Sequence, residues 1–139
     1  REAFDAERAL GLHTLEPYRA FAQRVADCKR ELQSFVRHAR VQGKTVAALG
    51  ASTKGNVLLQ YCEFTTDDIS LVGEVNAEKF GAYTPGTEIP IVPESELLAR
   101  NPDYLLVLPW HFRSFFLQAD KFKARQLVFP LPRVEVVCP

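Results

Sequence analysis

Apolar residues recur at alternating three- and four-residue steps across residues 15–39, which places them on one stripe of a helix. The stripe consists of Tyr18, Phe21, Val25, Cys28, Leu32, Phe35 and Ala39. Thr14 is a suitable N-terminal cap, Pro17 is tolerated in a first helical turn, and Gly43 suits the left-handed conformation that ends a helix. The pattern therefore predicts one long N-terminal helix over residues 14–42 that packs on the rest of the domain.

Short apolar runs alternate with helical and turn-rich segments along the rest of the chain. Five of these runs are predicted strands: Thr45–Leu49, Ile69–Val75, Tyr104–Leu108, Leu127–Phe129 and Val134–Val137. Helices are expected from Val57 to Tyr61, over residues 94–100, and from Trp110 to Lys123. Strands that alternate with helices predict an α/β fold of Rossmann-like type, with a mostly parallel sheet flanked by helices.

Ligands of such sheets bind at the carboxyl ends of the strands. This rule directs attention to three segments that directly follow predicted strands: Gly50–Asn56, Glu74–Lys79 and Pro109–Phe112. Candidate binding residues are therefore sought in these loops.

Composition narrows the class of protein. A chain of 139 residues has room for a single domain, 1–139, and its 17 basic and 17 acidic residues create no overall field that attracts nucleic acid or a membrane. Three widely spaced cysteines form no C-x-x-C pair, which indicates reduced thiols, no metal site and a cytoplasmic location. The absence of methionine, even at position 1, suggests a piece of a longer protein.

The loop between Gly50 and Gly55 follows a predicted strand and precedes a helix, which is the usual position of a nucleotide-binding loop. It is not a P-loop, because Lys54 precedes the second glycine and Asn56 follows it. A dinucleotide fingerprint requires a glycine where this chain has Ser52. A glycine cluster of the kind that binds SAM is also missing, so we expect no cofactor to be bound by this domain.

The same loop offers donors that suit phosphate or sugar oxygens, namely the side chains of Ser52, Thr53, Lys54 and Asn56. The alternative is an ordinary capped helix with a solvated lysine. Glu74 stands 24 residues after Gly50, roughly where a dinucleotide-binding unit has its ribose-binding acid.

Two further pairs of candidate binding residues follow later strands. Asn76 and Lys79 are placed to reach a phosphate or a ribose, and the alternative is a solvated turn. Trp110 either stacks on a base or sugar or fills a gap in the core, and His111 either donates to a sugar oxygen or takes part in acid–base chemistry.

Several motifs occur in a fixed order along the chain. They are GASTKGNVLLQ at 50–60, EVNAEKFG at 74–81, TPGT at 84–87, IPI at 89–91, LPWHF at 108–112 and PLP at 130–132. Together they closely resemble the C-terminal domain of sugar C-methyltransferases, and the resemblance runs from about Tyr18 to the end. At the position of His111 that family more often has an asparagine, which favours hydrogen bonding over proton transfer.

The resemblance implies that this chain is the substrate-binding third part of a larger enzyme. In that family a zinc-binding segment and a SAM-binding domain precede it, so zinc, SAM and the catalytic base are expected there, and no catalytic residue is assigned here. The implied partners are the SAM-binding domain of the same protein and a nucleotide-linked keto-deoxysugar. The alternative function is a non-catalytic nucleotide-binding, dinucleotide-binding or interaction module of another enzyme.

Overall fold

The long helix near the N-terminus is the first main element of the computed structural model, which describes all 139 residues. Helix α1 (Glu2–Ala9) precedes it, and the long helix α2 (Glu16–Val41) spans 26 residues. Pro17 lies in the first turn of α2 and Gly43 has a φ of 71°, so both predicted boundary signals are confirmed. The prediction that Thr14 caps the helix is wrong, because its hydroxyl donates to the carbonyl oxygen of Gly11 instead.

Only the C-terminal half of α2 is buried. Leu32, Val36 and Ala39 pack on the sheet, whereas Tyr18 and Phe21 in the predicted apolar stripe are exposed. A 26-residue helix is about 39 Å long, and a four-residue strand is only about 13 Å long. The N-terminal half of α2 therefore extends past the sheet.

Six strands form one sheet in the order β3-β2-β1-β4-β5-β6. They are β1 (Val46–Leu49), β2 (Val72–Glu74), β3 (Ile91–Pro93), β4 (Tyr104–Val107), β5 (Leu127–Phe129) and β6 (Glu135–Val137). The first five strands run parallel, and β6 runs antiparallel to β5. This arrangement confirms the predicted mostly parallel α/β fold.

The remaining helices are α3 (Thr53–Tyr61), α4 (Glu94–Ala99) and α5 (Arg113–Gln118). None of the helices combines the length and the apolar character needed to cross a membrane. The single helix predicted from Trp110 to Lys123 is wrong, because Ala119 takes an extended backbone conformation after α5 and interrupts it. Strand β3 escaped prediction because Pro90 and Pro93 interrupt its apolar run, and proline is disfavoured within strands.

The core has two layers, one on each face of the sheet. Side chains of α2 and α3 cover one face, and side chains of α4 and α5 cover the other. All four residues of β1 are buried, as expected for a central parallel strand with helices on both sides.

Two glycines let the loop after β1 and the start of α3 pack closely against Leu108 and Pro109, which directly follow β4. A methyl group on Gly55 would lie 2.7 Å from Cβ of Leu108, and one on Gly50 would lie 2.9 Å from the Pro109 ring. Gly50 also has a φ of 81°. Both glycines are thus explained by internal packing, without any ligand.

The packing of Gly55 predicts the sign of one substitution. Alanine is normally about 1 kcal/mol better than glycine within a helix. We expect Gly55→Ala instead to lower the free energy of unfolding by about 1–3 kcal/mol, because Cβ of Leu108 is too close to its own backbone to move aside. Urea denaturation measures this, with the exposed neighbour Thr53→Ala as the control. An increase in stability for Gly55→Ala would contradict the packing described here.

Candidate functional site

The three loops predicted to carry binding residues meet at the carboxyl edge of the sheet. They follow β1, β2 and β4, and the strand order reverses between β1 and β4. In open α/β sheets such a reversal opens a crevice in which ligands bind. The candidate residues therefore lie at the edge that the fold favours for binding.

Glu74, at the end of β2, ties the first two loops together. One carboxylate oxygen accepts the Ala51 N–H at 2.9 Å, and the other accepts the N–H groups of Val75 and Asn76 at 2.8 and 3.1 Å. Burial of the carboxyl group opposes its ionisation, but these N–H groups and the Lys79 ammonium outweigh burial and hold the pKa of Glu74 below its ordinary value of 4.5. The carboxylate is therefore engaged within the protein rather than free for a ribose.

Lys79 strengthens the same connection. Its ammonium donates to the Ala51 carbonyl oxygen at 2.9 Å and lies 3.4 Å from Oε2 of Glu74. An ammonium has three donors, so one remains for a ligand. Asn76 is exposed, and its Oδ1 accepts the Glu78 N–H at 3.1 Å, which caps the short 3₁₀ turn Ala77–Lys79.

The start of α3 carries the other polar candidates. Oγ of Ser52 accepts the Gly55 N–H at 3.0 Å and so caps the helix, while Thr53 and Lys54 are exposed. Oδ1 of Asn56 is the one buried side-chain polar atom in the chain without a hydrogen-bond partner. A buried acceptor of this kind is costly unless a water or ligand donor reaches it.

A crevice of about 270 Å³ lies between these loops. Ser52, Glu74 and Lys79 line its polar side, and the rings of Phe112 and Phe115, both mostly exposed, line its outer side. Its second lysine, Lys121, pairs with Glu94 in the crevice wall. Since both lysines already face carboxylates, the crevice carries little net charge.

Trp110 and His111 do not face this crevice. Trp110 packs partly on the core, and it also lines a second hollow, a groove of about 530 Å³ between α2 and α3. His111 is exposed and forms no hydrogen bond; its ring packs 4.3 Å from that of Phe112. Of the predicted binding residues, Ser52 and Lys79 line the crevice and Trp110 lines the groove, whereas the others line neither hollow.

Sequence reasoning missed the aromatic side chains of this groove, chiefly Phe21 and Tyr61. Phe21 was assigned to the buried stripe of α2. The length of the predicted helix could have shown that Phe21 is exposed. Short strands cannot cover more than half of such a helix, so one end of it must extend past the sheet.

Comparison with known proteins gives two matches. Residues 1–132 match the family described as the C-methyltransferase C-terminal domain. Over 139 residues the chain is 30% identical to the C-methyltransferase NovU of Streptomyces niveus, an alignment that covers 98% of this chain and 33% of that protein. The chain therefore spans about a third of the length of this curated relative.

The position of Glu74 predicts a pH-dependent contribution to stability. In Glu74→Gln the new amide NH₂ faces backbone N–H donors, so we expect the free energy of unfolding at pH 7 to fall by about 1–3 kcal/mol. Because folding lowers the pKa of Glu74, its stabilisation is present above about pH 4.5 and is lost as the pH falls through the folded-state value. The difference between wild type and variant should therefore shrink towards about pH 3.

Urea denaturation at both pH values measures this difference. Glu78→Gln is the matched control, since Glu78 is exposed and its carboxylate has no partner. Equal stability of Glu74→Gln and the control at pH 7 would show that the carboxylate does not hold the loops.

Proposed function

The chain belongs to the C-methyltransferase C-terminal domain family, and from that membership we propose that it binds a nucleotide-linked keto-deoxysugar for a SAM-dependent C-methyltransferase. In this proposal residues 1–139 form one substrate-binding domain of a cytoplasmic enzyme, and the C-terminal half of α2 packs on its sheet. Other domains of the same protein supply zinc, SAM and the base that deprotonates the sugar. The reaction is methyl transfer to the carbanion or enolate next to the keto group.

The observation that carries the proposal is that the Lys54 ammonium has no carboxylate partner. The chain has six lysines, and the other five each pair with a carboxylate. Lys54 has no such partner and stands in the first turn of α3, where the first backbone N–H groups of a helix also lack partners. An unpaired ammonium beside free N–H groups is a favourable site for a phosphate.

Neighbouring groups support a ligand with several oxygens. The exposed hydroxyl of Thr53 donates or accepts, and Lys79 retains a donor. His111 and Asn76, exposed at the same edge, add polar groups to the rim. A phosphate joined to a sugar has the acceptors and hydroxyls that this set matches.

The alternative of a dinucleotide-binding module is weakened by Glu74. Both of its oxygens accept backbone N–H groups, so the residue expected to bind a ribose serves to hold two loops. Ser52, which replaces the middle glycine, uses its hydroxyl to cap α3. Neither feature is available in the role that dinucleotide binding requires.

Calorimetry with nucleotide-linked 4-keto-deoxyhexoses tests the proposal. We expect binding that Lys54→Ala weakens by about 1–3 kcal/mol, the usual value of a hydrogen bond to a charged group, with an unchanged melting temperature. Lys44→Ala is the control, because Lys44 pairs with Asp103 at the opposite edge of the sheet. No binding at millimolar ligand, or equal affinity of both variants, would contradict the proposal.

The same titration with SAM tests the division of roles between domains. We expect no saturable binding of SAM and no methyl transfer by the 139-residue chain, because the loop at 50–56 lacks a glycine cluster. Saturable SAM binding at micromolar concentration would place the methyl donor in this domain and overturn the division.

A further inference from the structure

Residues 1–22 form a helical hairpin that has no core of its own. The hairpin consists of α1, the turn at residues 10–15 and the first two turns of α2, and none of its residues is buried. A hollow of about 250 Å³ lies between α1 and the start of α2. A helix of fewer than about 12–15 residues is marginal in water unless it packs on something. The eight residues of α1 therefore need a partner that this domain does not supply.

Large apolar side chains are concentrated on this N-terminal hairpin. Of the fifteen exposed large apolar side chains in the chain, six belong to the hairpin, namely Phe4, Leu10, Leu12, Leu15, Tyr18 and Phe21. Phe4, Leu12 and Tyr18 line the same hollow, and Leu15 and Phe21 each lie three residues from Tyr18. Five of the six thus form one connected surface, and such a surface on a protein marks an interaction site.

The hairpin projects past the carboxyl edge of the sheet. Helix α2 ends at Val41 and β1 begins at Val46, so the C-terminus of α2 lies at the amino edge and its N-terminus points the other way. Cys28 marks the level of the carboxyl edge, because its thiol donates at 3.1 Å to the carbonyl oxygen of Pro132, which follows β5. Leu15 precedes Cys28 by thirteen residues and lies about 20 Å further out along the helix.

The exposed stripe of α2 faces the candidate site. Leu32, Val36 and Ala39 pack on the sheet, and Tyr18 and Phe21 continue the same stripe by helical periodicity. Beyond the ends of the strands, this side of α2 faces the space in front of the carboxyl edge, where the loops after β1, β2 and β4 meet. A partner that covers the hairpin therefore also stands in front of the candidate site.

Methyl transfer requires a methyl donor in this same space. The reacting atoms must approach to about 3–3.5 Å, and the loop at 50–56 has no glycine cluster for SAM. The family is described as a C-terminal domain, and the matched region is 33% of the curated relative. In that arrangement the preceding domain connects to α1, and the connection keeps it at a roughly millimolar effective concentration.

We propose that the SAM-binding domain of the same polypeptide docks on the N-terminal hairpin, and that this contact holds the methyl donor in front of the carboxyl edge. The assignment rests on the proposed function, which places SAM in another domain, and it adds where the two domains meet. Residues 1–22 carry three arginines and four carboxylates, so the hairpin is nearly neutral and fits an apolar face. Aromatic side chains bury roughly 150–250 Å² each, so this surface and its partner reach the size of an inter-domain interface, about 600–1,500 Å².

Hydrogen exchange followed by mass spectrometry tests the docking surface without any ligand. In the 139-residue chain we expect the hairpin amides to exchange nearly as fast as those of an unfolded peptide, because no side chain there is buried. In the full-length methyltransferase the same amides should exchange at least about tenfold more slowly, since docking covers them. Equal exchange in the two proteins would overturn the proposal.

Leu15→Gln and Val41→Gln form a matched pair of variants in the full-length protein. The two residues lie at opposite ends of α2 and are 65% and 85% exposed. Loss of one leucine from the interface weakens docking about tenfold, so Leu15→Gln should speed hairpin exchange by that factor. Val41→Gln should leave it unchanged. Equal exchange in both variants would contradict the docking surface.

The triple variant Phe4→Gln, Leu10→Gln, Leu15→Gln tests whether docking positions the methyl donor. We expect kcat of the full-length enzyme to fall at least about tenfold, because a donor that is displaced from the substrate reacts slowly. The same substitutions in the 139-residue chain should leave its affinity for the nucleotide-linked sugar unchanged. An unchanged kcat would refute the positioning of the donor by the hairpin.

Photocrosslinking identifies what covers the hairpin. With Leu15 replaced by benzoylphenylalanine in the full-length protein, we expect crosslinked peptides from the SAM-binding domain of the same molecule. Crosslinks to the zinc-binding segment, or to a second copy with a product of doubled mass, would overturn the assignment.

The proposed function and the docking surface fail in different experiments. If nucleotide-linked sugars bind the 139-residue chain but hairpin exchange is the same in both proteins, the docking surface is wrong and the proposed function stands. If no nucleotide-linked sugar binds, the proposed function fails, whereas slower exchange in the full-length protein still supports docking on the hairpin.

Discussion

The close approach of α3 to the sheet at Gly55 is the contact on which the rest of the site depends. With no side chain at this position, the helix lies against Leu108 at a distance that leaves no room for a methyl group. The contact fixes the distance of α3 from the sheet and the direction of its axis. These in turn set the position of Ser52, which caps the helix, the position of Lys54, and the width of the groove between α2 and α3. A single interior packing constraint thus determines where the exposed polar groups stand.

Electrostatic interactions at the carboxyl edge divide into two kinds. Glu74 and Lys79 use most of their hydrogen-bonding capacity to join the loops after β1 and β2, and they act as a rigid frame. Lys54 and Arg24 have no carboxylate partner and therefore remain available. Buried charges are usually paired because desolvation is costly, whereas exposed charges need no partner for stability.

The overhang of α2 gives the domain a binding surface that its sheet alone does not provide. Strands of three or four residues cover only part of a 26-residue helix, so its first half stands free with aromatic side chains exposed. Trp110, at the end of β4, joins this surface to the core, since it packs on buried residues and also lines the groove. The structure therefore confirms that Trp110 contacts the core, and its stacking on a base or sugar stays a prediction.

The sequence by itself determined the fold class, the limits of the long helix, and the three loops at the carboxyl edge. These features follow from local periodicity, from Pro17 and Gly43 as boundary signals, and from the rule that parallel strands share one binding edge. Tertiary structure alone decided which polar groups are engaged. Glu74 looked like a ribose-binding acid until its three N–H donors were in place, and Phe21 looked like a core residue until the sheet proved shorter than the helix. Partners distant in sequence set both outcomes, because hydrogen-bond satisfaction and burial depend on which segments meet in space.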